Sequence, residues 1–471
     1  MSYRLLSIIG ILAAFTVVSC NKDNGGKGED TPTAPTTITV SPQSISAPRT
    51  AGDYSLAVTA PQKPRVSSKP DWVTVKDEGV YNSQTFKATM VFTLGANGTY
   101  ETRSGEIVIS AGTLTKSIPV TQEGRPVPEI VDTDIATSLV TDGALPEASA
   151  LYNYLLANYG TKMLSSVMAD VAWNHTIADK VNQRVGKYPA VNCYDFIHIA
   201  VPDGNGWIDY SNITPVTSWH NAGGIVSLMW HFNVPVSETT VIGRDGSGQA
   251  CNPSETTFKA SNALKSGTWE NTFFYAQLDR VANVILKLQD QGIAAIWRPY
   301  HEAAGNYYAL GYKGSAWFWW GAEGPDVFKQ LWNVTYDYFA SKGIRNLIWV
   351  WTAQNFNGDM DAYDSDEAYY PGDSRVDVVA RDLYGSAAQS CGVEFAQLQN
   401  TYPHKMIALG ECGWNGGASK PIATVSQQWA QNAKWAWFMV WYQDGYTMVD
   451  DDWWKDAFAQ DWVITRDKVN Y

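Results

Sequence analysis

The chain has 471 residues, of which 45% are hydrophobic, and its 34 Lys and Arg against 47 Asp and Glu give a formal net charge of −13. This length predicts two or more folded units, and an acidic chain without a basic stripe argues against nucleic acid and polyanionic substrates. The 21 Trp and 25 Tyr favour a neutral carbohydrate ligand, whose C–H faces pack against aromatic rings, although a large aromatic-rich α/β core is the alternative.

The N-terminus predicts a targeting segment rather than a folded element. An apolar run at residues 5–18 is too short to span a membrane and is followed by Ser19 and Cys20. Residues 1–20 resemble a bacterial lipoprotein signal, in which Cys20 becomes the lipidated N-terminus; an ordinary cleaved signal with a chance cysteine is the alternative. Residues 21–37 are polar and rich in Gly, Pro and Thr, which predicts a flexible tether. The implied localisation is the cell envelope, as an outer-membrane lipoprotein that contacts the membrane through its lipid only.

Four more cysteines lie in the rest of the chain, at wide spacings that match no zinc site. One or two disulfides are compatible with an oxidising compartment, and for Cys412, which lies beside the candidate chemistry, the sequence favours a buried free thiol. The four residues are Cys193, Cys251, Cys391 and Cys412.

Residues 38–124 contain short runs of alternating apolar residues, separated by turn clusters, and this pattern predicts a β-sandwich without catalytic residues. The six runs lie at residues 36–47, 54–60, 72–77, 86–94, 104–112 and 115–124. The motifs "KPDWVTV", "RSGEIVIS" and "IPVTQEG" resemble the BACON domain, a small immunoglobulin-like sandwich. The resemblance implies a spacer between membrane and enzyme, with glycan binding as the alternative.

A proline-broken linker at residues 125–134 precedes a larger unit, residues 135–471, in which apolar runs alternate with helical patterns. The runs lie at residues 162–169, 189–200, 223–232, 293–302, 346–354, 376–385, 405–414 and 434–442. Near-continuous apolar runs are typical of parallel strands covered on both faces. Eight such strands with helical connections predict a (β/α)8 TIM barrel; a doubly wound open sheet is the alternative.

Two of the connecting segments show apolar stripes at helical spacing. One stripe is Val281, Val284, Ile285 and Leu288, ended by Gly292; the other is Val327, Leu331, Val334 and Tyr338, begun at Pro325 and ended by Gly343.

Glutamates lie in the C-terminal parts of two of the apolar runs, Glu302 in "RPYHE" and Glu411 in "LGECG". The active site of such a barrel lies at the C-terminal ends of its strands, and strands four and seven are on facing walls. Two carboxylates that face each other across the barrel mouth suit glycoside hydrolysis, in which their separation decides between retention and inversion. A structural salt bridge at the rim is the alternative for either glutamate alone.

An ordered set of motifs carries a family resemblance over about residues 135–471. The motifs are "WRPYHEAAG", "WFWWG", "NLIWVWTAQN", "YPGDSRVDVVARDLYG" and "LGECG", and they resemble glycoside hydrolase family 26. Its members are chiefly endo-β-1,4-mannanases, retaining enzymes on a (β/α)8 barrel. The resemblance implies that Glu302 is the acid/base and Glu411 the nucleophile of a double displacement.

The same resemblance implies residues that bind the substrate. They are His231, His301, Trp317, Asp382 and Tyr384, and we add Arg298 and Trp441 at the ends of strands four and eight. Residues 306–316 form an insertion relative to the family, which leaves Tyr307 as an alternative to Trp317 for stacking on sugar.

Structural roles are the alternatives for several of these residues. Arg298 either keeps Glu411 ionised or forms a salt bridge at the barrel mouth, and His231 and His301 either line the sugar site or lie in the core. We assign the remaining tryptophans of the apolar runs to the core: Trp320, Trp349 and Trp351.

The sequence therefore predicts a retaining, endo-acting β-mannanase that cleaves mannan, galactomannan or glucomannan. No cofactor is expected, and no catalytic metal, because the histidines show no metal-ligand spacing. A β-1,3-xylanase or mixed-linkage β-glucanase of the same family, and a non-catalytic surface glycan-binding protein, are the alternatives. The predicted partner is the polysaccharide, and the predicted state is a monomer.

Overall fold

The computed structural model describes residues 33–99, 101–131, 133–170, 173–305, 315–353, 366–415 and 420–471. The predicted signal, Cys20, most of the tether and most of the insertion, including Tyr307, lie outside these residues. The chain divides into two compact units, and each is considered by itself below. Within the described ranges, no helix combines the length and the hydrophobicity needed to cross a bilayer.

The N-terminal unit is a β-sandwich of two four-stranded sheets, with the strand orders β1-β3-β6-β5 and β2-β8-β7-β4. Its strands are β1 (Thr39–Ser41), β2 (Ile45–Ala47), β3 (Gly52–Thr59), β4 (Arg65–Ser68), β5 (Val73–Asp77), β6 (Lys87–Leu94), β7 (Arg103–Ala111) and β8 (Leu114–Gln122). Alternate residues of β6 and β8 point into the core, among them Met90, Phe92 and Val120, which are fully buried. The predicted sandwich is confirmed.

The sandwich departs from the predicted strands in two places. The first apolar run, residues 36–47, divides into β1 and β2, which join different sheets. Strand β4 was not predicted, because Pro64 and Pro70 flank it and three of its four residues are exposed. It lies at the edge of its sheet, where a strand needs only one neighbour and carries a weak apolar signal.

The C-terminal unit is a closed barrel of eight parallel strands. The strands of this unit are β9 (Met163–Met168), β10 (Val191–Asp195), β11 (Ile225–Trp230), β12 (Val234–Pro235), β13 (Gln249–Ala250), β14 (Ala295–Pro299), β15 (Leu347–Ala353), β16 (Val378–Tyr384), β17 (Met406–Gly413), β18 (Trp437–Val440), β19 (Tyr442–Gln443), β20 (Tyr446–Thr447) and β21 (Val463–Ile464). The barrel order is β9-β10-β11-β14-β15-β16-β17-β18, and β9 closes it by pairing with both β10 and β18. The closed ring confirms the (β/α)8 prediction over an open sheet.

Helices connect the barrel strands. They are α1 (Pro146–Asn158), α2 (Thr176–Val185), α3 (Thr214–Asn221), α4 (Ala260–Ala263), α5 (Trp269–Asp290), α6 (Pro325–Ser341), α7 (Ala388–Thr401), α8 (Val425–Ala430) and α9 (Asp451–Ala459). The predicted stripe of α5 is buried as expected. The stripe of α6 is confirmed in part, because Leu331 is buried and Val327, Val334 and Tyr338 are half-buried and pack against the core. The fully buried residues lie on the adjoining face: Phe328, Leu331, Trp332, Thr335, Tyr336 and Phe339. Trp332 and Phe339 pack against Trp349 of β15.

Successive residues of the barrel strands alternate between two hydrophobic clusters. In β15, Leu347, Trp349 and Trp351 belong to an outer cluster between strands and helices, and Ile348 and Val350 belong to an interior cluster that also includes side chains of α1. This alternation follows from the two-residue period of a strand. At the C-terminal end of the barrel the interior series ends in polar residues, and these form the candidate site.

Candidate active site

Glu302 lies in a tight turn that follows β14, rather than on the strand itself as predicted. Tyr300 and Glu302 have φ angles of 51° and 52°, the left-handed region that non-glycine residues rarely adopt outside functional sites. The turn is held by Trp320, whose Nε1–H donates to His301 O at 2.9 Å, and by the amide of Gly305, which donates to Glu302 O at 2.9 Å. The aromatic segment after the insertion therefore supports the candidate acid.

A β-bulge directs Glu411 into the barrel. Leu409 belongs to the outer cluster, so strict alternation would turn Glu411 outwards as well. Arg381 pairs with Leu409 but Asp382 pairs with Glu411, which leaves Gly410 as an extra residue. A Cβ atom on Gly410 would lie 2.6 Å from Asp382 Oδ1. The bulge thus places Glu411 beside Asp382 and requires glycine at position 410.

Both carboxylate oxygens of Glu411 accept hydrogen bonds. The hydroxyl of Tyr384 donates to Oε2 at 2.7 Å, and Nη2 of Arg298 donates to Oε1. Arg298 also contacts Asp382 Oδ2 and Thr352 Oγ1, each at 3.0 Å. A fixed guanidinium and a phenol stabilise negative charge on Glu411, which a nucleophile needs.

The surroundings of Glu302, unlike those of Glu411, disfavour a negative charge on its carboxyl group. Burial raises its pKa well above the ordinary value, and the charges of Asp382 and Glu411 raise it further. Its carboxyl group is hydrogen-bonded to Asp382, which remains paired with Arg298. One oxygen each of Glu302, Asp382 and Glu411 lie within 4.8 Å of one another. The surroundings therefore favour the protonated form of Glu302, opposite a Glu411 whose two oxygens accept hydrogen bonds from Tyr384 and Arg298.

These three carboxylates also form, among the described residues, a group whose oxygens are close enough to hold a metal ion. Arg298 contacts two of them, Asp382 and Glu411. The guanidinium thereby supplies the positive charge that a cation would bring, and the set does not fit a resident metal.

A buried chain of three polar side chains runs beside the carboxylates. Asp195 Oδ2 lies 2.5 Å from His231 Nδ1, and His231 Nε2 lies 3.1 Å from His301 Nε2. Burial opposes a charge on His231, but the carboxylate of Asp195 outweighs it and the pKa of His231 is raised. Burial together with the charges of His231 and Arg298 lowers the pKa of His301 well below its usual value. In the charged form that Asp195 favours, His231 donates from Nε2 and His301 accepts.

Asp195 was not predicted as a site residue. The apolar run at residues 189–200 placed the end of strand two at residue 200, whereas β10 ends at Asp195. A polar residue at a strand end was the available signal, and the apolar Phe196, Ile197 and Ile199 beyond it concealed that end.

Aromatic rings line the histidine side of the site. Phe318 stacks on Trp320 with ring centroids 4.3 Å apart and lies 5.1 Å from the ring of His301. The ring of Trp441 lies 5.7 Å from the ring of His231, and its contact with substrate stays a prediction. Phe318 was not predicted, and Trp317, which precedes it and is half-buried, stays a prediction.

The remaining predicted residues lie where a core role places them. Trp320, Trp349 and Trp351 are at most 3% exposed. Cys193, Cys251, Cys391 and Cys412 are free thiols in the structure. Cys412 is fully buried behind Glu411, and burial raises its pKa well above the usual value, so its thiol does not compete as a nucleophile.

Family models match both units of the chain. The model described as glycosyl hydrolase family 26 matches residues 140–468, and the BACON model, described as a putative N-terminal binding domain, matches residues 63–123.

Curated relatives and solved structures agree with these matches. A mannan endo-1,4-β-mannosidase of Thermothelomyces thermophilus is 31% identical over 78% of this chain and 68% of its own length. Mannan endo-1,4-β-mannosidase B of a Piromyces species is 28% identical over 72% of this chain, which spans 54% of that relative.

The family 26 domain of an endo-β-mannanase/endo-β-glucanase from Prevotella bryantii is 57% identical with a TM-score of 0.68, over 71% of this chain and all of that domain. A β-mannanase from a symbiotic protist of the termite Reticulitermes speratus, solved with a gluco-manno-oligosaccharide, is 30% identical with a TM-score of 0.59, over 72% of this chain and 99% of that chain.

Proposed function

The chain belongs to glycosyl hydrolase family 26, and from that premise we propose that it is an endo-acting mannanase that cleaves β-1,4-mannosidic bonds with retention of configuration. Mannan, galactomannan and glucomannan are the proposed substrates. The names of the curated relatives support the substrate class. The reaction itself is argued from the two glutamates.

The spacing of Glu302 and Glu411 carries the proposal. Their nearest ligand oxygens lie within 4.8 Å. Retaining glycosidases hold the two carboxyl groups roughly 5–5.5 Å apart, whereas inverting enzymes need about 6.5–9.5 Å to admit a water molecule between them. The short separation favours direct attack by Glu411 on the sugar.

The first half of the proposed reaction forms a covalent intermediate. A carboxylate oxygen of Glu411 attacks the anomeric carbon while Glu302 transfers its proton to the glycosidic oxygen, and the bond between that oxygen and the anomeric carbon breaks. The leaving sugar departs with a hydroxyl group. The protonated state of Glu302 and the hydrogen-bonded charge of Glu411 suit these two roles.

The second half returns the enzyme to its starting state. Glu302, now a carboxylate beside Asp382, takes a proton from water as the water oxygen attacks the anomeric carbon, and Glu411 leaves. Once Glu411 is released it is again a carboxylate. The negative charges of Asp382 and Glu411 then favour the protonated form of Glu302, which is its starting state. Each of the two displacements inverts the configuration at the anomeric carbon, so the product has the configuration of the substrate.

A panel of four polysaccharides tests the proposal: galactomannan, glucomannan, β-1,3-xylan and barley β-glucan. We expect reducing sugar from the first two, with products of several lengths appearing early, which distinguishes internal from chain-end cleavage. The variant Glu411→Ala, expected to bind but not to turn over, is the control. Release from the xylan alone would change the substrate, and absence of release from all four would favour a glycan-binding role.

We also propose that the protein is held at the outer membrane by a lipid on Cys20, with the sandwich as a spacer. The apolar run followed by Ser19 and Cys20, and the polar residues 21–37, support this proposal.

A further inference from the structure

Trp207 is a large apolar side chain that the fold leaves 48% exposed. It lies in the loop between β10 and α3, on the face of the barrel where loops follow the C-terminal ends of the strands and where active sites form. Buried tryptophans fill the outer cluster of the same unit. An exposed tryptophan on this face therefore calls for a separate explanation.

The ring of Trp207 is held in place by its surroundings. Its Nε1–H donates to Arg244 O at 2.6 Å, in the loop between β12 and β13. Its own amide donates to Asn205 Oδ1 at 2.9 Å, and the guanidinium of Arg244 bonds Gly204 O. The polar atom of the indole is thus already satisfied, so the exposed part of the ring is its apolar surface. A ring fixed in advance loses little conformational entropy when a ligand stacks on it.

Short contacts connect this ring to the site. His198 packs edge to face against Trp207, with ring centroids 4.7 Å apart. One residue before His198, the amide of Ile197 donates to Asp195 Oδ1 at 2.9 Å, and Asp195 contacts His231. The loop that carries Trp207 therefore begins at the polar chain beside the catalytic carboxylates.

Polar residues occur in both loops that meet at the ring. Asn205 accepts the amide of Trp207, and in the loop between β12 and β13 a Cβ atom on Gly246, which lies between Asp245 and Ser247 in the sequence, would be 3.7 Å from the indole. A docking site for a protein would offer a broader apolar patch. A single exposed aromatic ring in loops that carry polar residues fits a sugar unit, which presents C–H groups to the ring face and hydroxyl groups to its rim.

We propose that Trp207 is a stacking platform for a sugar unit of the polysaccharide that lies away from the bond being cleaved. The proposal rests on the proposed function in requiring a chain of several sugars in the barrel mouth. It predicts a preference for long substrates that the carboxylates and histidines alone do not give.

Kinetics on oligosaccharides of graded length test this inference. For Trp207→Ala, kcat/KM on mannohexaose and on polymer is expected to fall roughly tenfold through KM, while kcat/KM on the shortest oligosaccharide that is cleaved stays unchanged. Trp207→Phe keeps an aromatic face but loses the bond to Arg244, and is expected to retain most of the activity on long substrates. Val241→Ala, at a residue 86% exposed in the loop between β12 and β13, is the matched control and is expected to change neither.

Other outcomes would contradict the proposal that Trp207 stacks on a sugar unit. Equal losses on short and long substrates, or a loss in Trp207→Phe as large as in Trp207→Ala, would assign Trp207 a structural role in the loop. Unchanged kinetics at every length in Trp207→Ala would remove any role in binding. If the panel shows cleavage of glucan or xylan instead of mannan, the same length series is made from that sugar, so failure of the mannanase proposal is separated from failure of this one.

Discussion

The carboxylate of Asp195 lies 2.5 Å from Nδ1 of His231 and also accepts the backbone amide of His231 at 2.9 Å. Both contacts are made within the barrel, where the side chain of Asp195 is fully buried. The pair fixes the orientation of His231 and keeps its other nitrogen directed at His301. Asp195 is thus a positioning residue that acts on the site through a histidine.

Asp195→Asn is expected to lower stability most in acidic solution. The pKa of His231 is raised in the folded protein, so the pair stabilises fully below the unfolded value of about 6.5, and this contribution is lost as the pH rises through the folded value. The midpoint of thermal unfolding, compared with that of the parent, should fall in acidic buffer by an amount equivalent to about 1–3 kcal/mol. The fall should be smaller in alkaline buffer, and an equal fall in both would contradict the assigned charge.

Glu302→Gln removes the proposed acid without changing its size. We expect kcat on polysaccharide to fall about 10²–10⁴-fold, and to fall much less on an aryl glycoside whose leaving group needs no proton. Because the pKa of Glu302 is raised, the parent should keep its acid form, and its activity, well above the ordinary range of glutamate near 4.3. The alkaline limb of the pH–rate profile of the parent measures the pKa of this acid. An alkaline limb near the ordinary pKa of glutamate would contradict the assignment of Glu302 as the proton donor.

Arg298→Met leaves two buried carboxylates without their shared cation. Removing one partner of a buried ion pair costs about 3–5 kcal/mol, so both the unfolding midpoint and kcat should drop. Arg298→Lys keeps the charge but cannot reach Asp382 and Glu411 together with a planar fork. It should recover stability better than activity, as measured by thermal unfolding and by kcat on the same preparation.

Gly410→Ala tests the bulge that orients the nucleophile. The new methyl group would lie 2.6 Å from Asp382 Oδ1 and 3.0 Å from Ala380 Cβ, so the strand must shift and move Glu411. We expect a loss of roughly 10²-fold in kcat, as a displacement of about 1 Å can cause. Gly98→Ala, where an added Cβ meets no atom within 4 Å, is the matched control; similar activity in both variants would show that the bulge tolerates a side chain.

Cys20→Ala tests the proposed anchor. In an expressing bacterium, the parent should sediment with the membranes, and the variant should move to the soluble fraction with its activity unchanged. Equal sedimentation of parent and variant would exclude a lipid on Cys20 as the attachment.

The residue types and positions of the two glutamates were sufficient to predict them. Glu302 and Glu411 lie towards the C-terminal ends of long apolar runs, and a barrel brings the ends of its strands to a common rim. The three-residue error at Glu302, where β14 ends at Pro299, did not matter because the turn brings the carboxyl group back to the rim.

Other parts of the site depend on tertiary contacts that no local pattern reports. Asp195 is recognisable only once β10 is known to end there, and Phe318 only once the aromatic segment is folded against the turn at Glu302. The buried face of α6 was located only approximately for a similar reason, since aromatic residues such as Trp332 are fully buried and leave Val327 and Val334 half-buried at the edge of the core. The period of a helix or strand locates its buried face only approximately. Tertiary packing decides which of the neighbouring residues on that face are fully buried.

The bulge at Gly410 makes the chemistry depend on a count of residues as well as on their kinds. If β17 instead ran regularly through Gly410, that glycine would pair with Asp382, and inside and outside would be reversed for the residues that follow, so Glu411 would exchange sides with Cys412. The sequence would be unchanged, yet the barrel would hold a thiol where its carboxylate had been. Removing Gly410 altogether would leave a regular ladder in which Glu411 still pairs with Asp382, so the side that Glu411 faces is set by how the extra residue is accommodated.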